Sequence, residues 1–398
     1  MKKKFLDLFL NKLHSFFKNS AVKFVILLGI VSLFSDMVYE GARSVTGPYL
    51  GMLGASGAVV GFVAGFGELI GNALRIVSGY LVDRTLRYWL FTFLGYLLLF
   101  AIPLLAFAGN WQVAAVLIII ERVGKAIRVP ARDAMLSYAT QKLGRGFGFG
   151  VHQTLDQLGG VLGPLIFAAV VFFKYDYRLG FLLLFIPACI SLVFLFLGKM
   201  LYPHPQHLEV DVPELTTTKI PALFWVYLAG AGLLAAGYAD FPLIAFHFQK
   251  SAILTPVWIP IFYIISMGAS AVSALLFGLI YDRYGCVILI IAALLSSLFA
   301  PFVFLGNFDV ALLGMILWGI GMGAQRSLLK AVVGDMVSKK MRGSAYGIFN
   351  TGYGIAWFLG SWLIGILYDV SIDWLIVFSV VAQLSAIPFI YFVQKKMK

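Results

Sequence analysis

Charge is scarce in this sequence. Only 12% of its 398 residues are Asp, Glu, Lys or Arg, and 61% are hydrophobic. Soluble domains carry about 25% charged residues, so a water-soluble globule of this make-up could not cover its surface with polar groups. Cysteine is scarcer still. Cys189 and Cys286 stand apart inside apolar runs, which gives neither a disulfide framework nor a metal pattern and leaves both as small packing residues. Acids number 18 against 30 bases. In a soluble chain that balance would raise nucleic acid as a partner. Here the bases gather in short connections and at the ends, so no nucleic acid is expected. The phosphate-cradling Gly-x-x-x-x-Gly-Lys-Ser/Thr loop is missing, and so is a Gly-x-Ser-x-Gly elbow. No nucleophile-and-base constellation stands out. The chain is therefore expected to be no enzyme, with no cofactor and no metal.

What is present is apolar length. Runs such as 22–38, 88–108 and 180–197 recur along the chain. A bilayer core of about 30 Å takes about 20 apolar residues per helix. The runs predict an all-α membrane protein of twelve transmembrane helices at 22–48, 57–82, 88–109, 112–137, 146–173, 178–200, 221–248, 256–281, 285–306, 309–337, 343–369 and 372–394. Lys and Arg cluster in alternate connections, from Arg84 and Arg87 to Lys339, Lys340 and Arg342, while the intervening ones hold little beyond Lys174, Arg178 and Lys250. That alternation places both termini in the cytoplasm. Residues 1–21 read as an amphipathic cytoplasmic segment, with Leu6, Leu10, Leu13 and Phe17 at helical spacing between lysines and no cleavage site following. Residues 201–220, rich in Pro, Thr and acids, form a cytoplasmic linker. It separates an N-terminal six-helix half, 22–200, from a C-terminal one, 221–398.

The halves repeat. Gly79, Asp83 and Arg84 recur as Gly278, Asp282 and Arg283, offset by 199, and Arg145, Gly150, Thr154 and Gly163 recur as Arg342, Gly347, Thr351 and Gly360, offset by 197. Two linked blocks at nearly one offset imply duplication, a transporter plan that puts the solute site near the midplane between the halves. On these residues the chain resembles the major facilitator superfamily over nearly its whole length. Gly79, Asp83, Arg84 and Arg87 look like that family's loop signature, with Leu86 standing where a second glycine is usual. Arg122 resembles its membrane-embedded arginine. Gly159-Gly160-Val161-Leu162-Gly163-Pro164 is similar to the motif of its antiporter branch. The resemblance implies two pseudo-symmetric six-helix halves, a place in the bacterial inner (cytoplasmic) membrane, and a small-molecule solute moved by alternating access.

Intramembrane ionisable residues are costly and mark function by default. The first span carries Asp36, Glu40 and Arg43 at i, i+4, i+7, and the second carries Glu68, Asn72 and Arg75 at the same spacing. A carboxyl set between desolvation and a nearby cation can load and release a proton as a cavity wets and dries. Asp36, Glu68 and Glu40 are thus the candidate proton sites, with Arg122 within reach of Asp36 or Glu68. The opposing reading makes Arg43 a static partner of Asp36 or Glu40. The fourth span is the most charged, with Glu121, Lys125, Arg128 and Arg132 in one stripe that must face a cavity or other helices. Pro130 predicts a kink or opening there. His152 and Asp156, at i, i+4, read as a proton relay or as a structural hydrogen bond. The second half offers Asp240, Gln325, Arg326, Tyr353 and Trp357 to the cavity. With Arg43, Asn72, Arg75, Lys125, Arg128, His152 and Asp156 they make up the expected solute cavity. Asp83-Arg84 and Asp282-Arg283, with Arg145 and Arg342, read as a cytoplasmic gate. The glycines of spans 5 and 11, Gly159, Gly163 and the adjoining Pro164 among them, read as a moving interface between halves.

The expected function is proton-coupled efflux of a small organic solute by a monomer in the lipid bilayer. The surplus of Arg75, Lys125, Arg128, Arg326 and Lys330 over nearby acids keeps open uptake of an organic anion or a carboxylate metal chelate. A non-transporting sensor or assembly partner is the reading from another class, and it leaves the intramembrane carboxyls without a use.

Overall fold

In a computed structural model, described for residues 20–140, 145–205, 220–337 and 342–397, twelve helical legs run back and forth through one bundle. Helix α1 spans Ser20–Met52, α2 Gly57–Thr85, α4 Trp111–Thr140, α5 Arg145–Phe172, α8 Trp258–Tyr284, α10 Phe308–Met336, α11 Arg342–Val370 and α12 Ile372–Met397. The other four legs are interrupted. In α3, Tyr88–Leu97 tightens into 3₁₀ turns at Leu98–Ala101 and Pro103–Phe107; α6 is Tyr177–Leu183 and Phe185–Leu201; α9 is Val287–Ser297 and Phe299–Leu305. Helix α7, expected to be continuous, breaks in mid-course between Ala222–Ala236 and Phe241–Ser251. Pro242 cannot donate to the turn before it, and Asp240 caps the second segment by accepting from the Phe241 N–H at 2.9 Å.

Eleven legs are long and apolar enough to cross a bilayer by composition. Leg α4 is the exception because its charges fall in every window, yet Glu121, Arg122 and Arg128 are buried inside the bundle. Pro130 does not open α4, which runs on to Thr140. The missing Pro130 N–H leaves the Ala126 carbonyl without its i+4 donor, and the Ser78 hydroxyl of α2 donates to it at 2.7 Å. Large apolar side chains such as Phe172, Val193, Leu201, Leu275 and Val381 lie exposed around the outside, as a lipid-facing surface requires.

An even number of legs puts Ser20 and Met397 at one end of the bundle, here the termini face; the opposite end is the far face. The two halves meet most tightly at the far face. A Cβ on Gly47 of α1 would sit 1.7 Å from the Pro242 carbonyl oxygen, and one on Gly61 of α2 would sit 2.4 Å from that of Ser361. Asp369, at the end of α11, accepts from the first two N–H groups of α2, Gly57 at 2.9 Å and Ala58 at 2.7 Å, so one half caps a helix of the other. Further along, α2 and α11 lie less tightly together: a Cβ on Gly354 would meet the Asn72 Cβ at 3.4 Å, and one on Gly71 would meet nothing.

Gly159 and Gly163 of α5 do not sit between the halves, contrary to expectation. Gly159 and Gly163 press on the Leu33 and Met37 carbonyls of α1 within the same half, where a Cβ would come to 2.1 and 2.2 Å. Helix α11 does reach across, at Ser361 and Gly365, while Gly360 packs on Ala236 of α7. Side chains of Arg145, Asp282 and Arg342, proposed for the gate, lie outside the described residues, as do residues 1–19 and most of the linker.

Candidate transport site

The charged residues of α1, α2, α4 and α7 converge midway through the bundle. Arg43 is the pivot. Its Nη2 donates to Asp240 Oδ1 at 2.6 Å, and its Nη1 lies 3.6 Å from Glu68 Oε1 and 3.3 Å from the Tyr39 hydroxyl. Glu68 is shared, because Arg122 Nη1 reaches the same Oε1 at 3.1 Å. Arg122 also donates to the Tyr39 hydroxyl and lies over that ring, as does the Lys125 ammonium, 3.6 Å from the ring centre. The Asp240 carboxylate is completed by the Trp357 indole N–H at 3.4 Å. Two cations and two carboxylates therefore neutralise one another, three of them buried and Glu68 half-buried, as charges at this depth require.

Two of these contacts join the halves. Arg43 belongs to the first half and Asp240 to the second. One turn earlier on α1, Glu40 accepts from the Tyr263 hydroxyl of α8 at 2.5 Å. Helix α1 thus grips the opposite half by two polar hooks at i and i+3. The Asp240 hook exists because α7 breaks there, leaving a cap residue with free oxygens at the centre. A discontinuous helix at the midplane is how many transporters present polar groups to a solute.

The expected residues fall into three sets. Glu68, Arg122, Arg43, Asp240, Glu40 and Trp357 come together as described. Asp36, Asp156 and Lys125 form a second group between α1, α4 and α5, within electrostatic reach of one another. Asn72 donates to the Glu68 carbonyl at 2.9 Å, and Tyr353 donates to Gln325 at 2.7 Å beside the exposed Arg326.

The third set does not reach the cavity as expected. Arg128 is buried against α3, paired with Glu121 at 3.2 Å, bonded to the Gly95 carbonyl and lying over Tyr96. The helical period carries it round to the neighbouring helix. His152 shares a hydrogen bond with Ser32 at 2.8 Å and not with Asp156, which takes one from Gln153 at 3.4 Å. Arg43 is not the partner of Asp36 or Glu40, and Arg122 does not meet Asp36. At the termini face Asp83 is exposed and forms no ion pair among the described residues, while Arg84 and Arg283 lie over Tyr80 and Tyr284. Tyr39 was missed altogether. Its i+4 position before Arg43 was the available signal.

The Major Facilitator Superfamily family model matches residues 28–361 and 265–396. The chain belongs to the major facilitator superfamily. An uncharacterised protein of Mycobacterium tuberculosis is 42% identical over 383 residues, covering 94% of this chain and 93% of that one. An uncharacterised transporter of the same superfamily type from Methanocaldococcus jannaschii is 28% identical over 88% of this chain and 89% of its own. Among solved structures, a nucleoside transporter superposes with TM-score 0.73 at 17% identity, over 94% of this chain and 98% of that one. A D-xylose–proton symporter does so with TM-score 0.72 at 16% identity, over 95% and 99%. These likenesses establish the fold of this superfamily member and its place as a multi-pass membrane transporter.

Proposed function

We propose that this chain exports a small organic solute by alternating access, coupled to proton movement, acting as a monomer in the cytoplasmic membrane with both termini inside. The observation that supports the reading is the Arg43 guanidinium held between a carboxylate of each half, Asp240 at 2.6 Å and Glu68 at 3.6 Å. A proton on Asp240 removes the charge that binds the halves at this point and leaves Arg43 to Glu68. Loss of that proton restores the cross-half pair. Proton occupancy and conformation are then two readings of one switch. Glu68 and Arg122 set how readily Arg43 transfers, while Asp36, Asp156 and Glu40 supply further protonatable groups on the path toward the termini face. The latch of Gly79, Asp83, Arg84 and Arg145 with Gly278, Asp282, Arg283 and Arg342 closes the termini face in the alternate state. Gly159, Gly163 and Pro164 hold α5 rigidly on α1, so the two move together. Export is favoured by the likeness of that segment to the antiporter branch. Uptake by symport is the second reading, favoured by basic side chains that no carboxylate offsets.

The test is proton release from the purified protein in detergent on titration with cationic, neutral and anionic solutes. Release that vanishes in Asp240→Asn and Glu68→Gln is the expected result. Solute binding by the wild type without any release would remove proton exchange and move the reading to symport or uniport.

A further inference from the structure

Most cations in the described spans are accounted for. Arg43 has Asp240 and Glu68, Arg122 has Glu68, Arg128 has Glu121 and Arg132 has Asp133. Lys125 lies on Tyr39 within electrostatic reach of Asp36 and Glu40. Arg326 of α10, like Arg75 of α2, differs. Among the described residues it forms no ion pair. It is exposed, although the five residues before it and Leu328 and Leu329 after it are buried.

That exposure is toward the centre of the bundle. The Arg326 guanidinium lies within electrostatic reach of the hydroxyls of Tyr238 at the α7 break, Tyr263 on α8 and Tyr353 on α11. Its chain neighbour Gln325 accepts from Tyr353 at 2.7 Å, which fixes the ring beside it. Tyr353 in turn stacks on Phe349 at 6.0 Å and lies tilted against Trp357 at 5.8 Å, a ladder along α11. An arginine in the hydrocarbon layer is retained where it faces a wet cavity or a partner. Its planar fork fits a carboxylate or phosphate by two parallel hydrogen bonds. The carboxylates that would repel such a ligand are engaged: Asp240 by Arg43 and Trp357, Glu40 by Tyr263, Glu68 by Arg122. Arg75 on α2 adds positive charge to the same half of the bundle, its Nε buried without a partner.

We propose that the solute is an organic anion, a carboxylate or a phosphate ester, whose charged group docks on Arg326 while its apolar body lies along the Tyr353 wall. This names the solute class of the site above and rests on that reading only for the word solute; the binding itself stands apart from proton coupling and direction.

The test uses the full chain in detergent, with benzoate and phenyl phosphate as probes and benzamide and benzylamine as neutral and cationic counterparts. Binding is read by thermal shift and calorimetry in wild type, Arg326→Gln and Arg326→Lys. One or both anions are expected to stabilise the wild type saturably, and the counterparts are not; which anion binds tells carboxylate from phosphate. Arg326→Gln is expected to weaken the anion about ten- to a hundredfold, with Arg326→Lys in between because it keeps the charge and loses the fork. If Arg326→Gln does not fold, the intermediate affinity of Arg326→Lys decides. Equal binding of benzamide, unchanged anion affinity in both variants, or no anion binding up to about 10 mM overturns the proposal. Anion binding without solute flux in proteoliposomes would sink the transport reading and leave the anion site standing. Flux of a neutral or cationic solute would do the reverse.

Discussion

Substituting Asp240 by Asn removes one charge from the central pair and little else. The amide oxygen can still accept from the Phe241 N–H, and the side chain keeps its volume against Trp357. What is lost is a 2.6 Å contact to Arg43 between the two halves. At an effective dielectric of about 20, unit charges at that separation attract by about 6 kcal/mol before desolvation. Breaking a buried pair from one side costs about 3–5 kcal/mol because the survivor is left uncompensated. Glu68, only 3.6 Å from the same guanidinium, takes up part of that charge, so the net loss should fall to about 2–3 kcal/mol. The pair joins the two halves, and on the proposed switch it parts as the far face opens, so the loss bears on the far-closed state. It should raise the far-open population relative to the far-closed one by about thirtyfold or more. The assay is the distance distribution between spin labels at Tyr175 and Val370, exposed far-face positions on opposite halves, with Cys189 and Cys286 replaced by Ser. Asp240→Asn should move the main population to a longer distance, and Arg43→Gln should do the same, with the double variant adding little. An unchanged distribution in Asp240→Asn, or fully additive effects, would refute the pair as the contact that holds the far face shut.

Asp369→Ala uncaps α2 from across the interface and should cost about 1 kcal/mol of far-face closure, a smaller shift of the same two labels; no shift would mean that the glycine packing alone holds that face. Leu86 adopts φ 53°, a left-handed conformation, and is exposed, so Leu86→Gly should raise the melting temperature, worth about 1 kcal/mol; a lower melting temperature would contradict it. Gly163→Ala puts a methyl 2.2 Å from the Met37 carbonyl oxygen, whereas Gly71→Ala meets nothing. The first should destabilise by about 1–3 kcal/mol and the second should be neutral or stabilising, read by thermal unfolding in detergent. Glu121→Gln should destabilise by about 3 kcal/mol by stranding Arg128, without changing solute affinity; altered affinity would place that pair in the cavity after all.

The twelve legs were legible because length and apolarity are local properties, and α4 was legible although its composition fails the usual test, because a charged stripe on a helix has only the protein interior to face. The duplicated glycines and Asp-Arg pairs gave the two halves. The pairing of charges was not legible. Arg43 has Glu40 at i−3 in its own helix, and local spacing favoured that partner, yet the helix turns Glu40 toward α8 and Arg43 toward a break in α7. That break was hidden because the whole run 222–251 is apolar enough to pass as one span, and the local signals, Gly237, Asp240 and Pro242, are short. Arg128 misled for a related reason. Residues at i+7 share a face with Glu121, but the face belongs to α3 and not to the cavity, and spacing alone does not name the neighbour.

The two halves, built to one plan, have come to differ in what they offer. In the first half α1, α2, α4 and α5 present carboxylates and cations that neutralise each other: Glu68 with Arg122, Asp36 and Asp156 around Lys125. In the second, the described α8, α10 and α11 present phenols, an indole, an amide and one uncompensated arginine. A charge-balanced wall is poor at holding a charged solute and good at exchanging protons, since adding one proton changes every pairing in it. An aromatic wall with a single free fork has the opposite virtues. Asp240 is the acid that the second half contributes at the centre, and it is spent on Arg43, the residue whose partner decides whether the halves meet. On this division of labour the proton acts on the first half, the solute on the second, and Arg43–Asp240 is where each learns of the other. A solute on Arg326 and a proton on Asp240 should therefore change each other's affinity by one common factor, as linkage requires, and that factor is measurable as the ratio of anion affinities at pH values where Asp240 is protonated and where it is ionised.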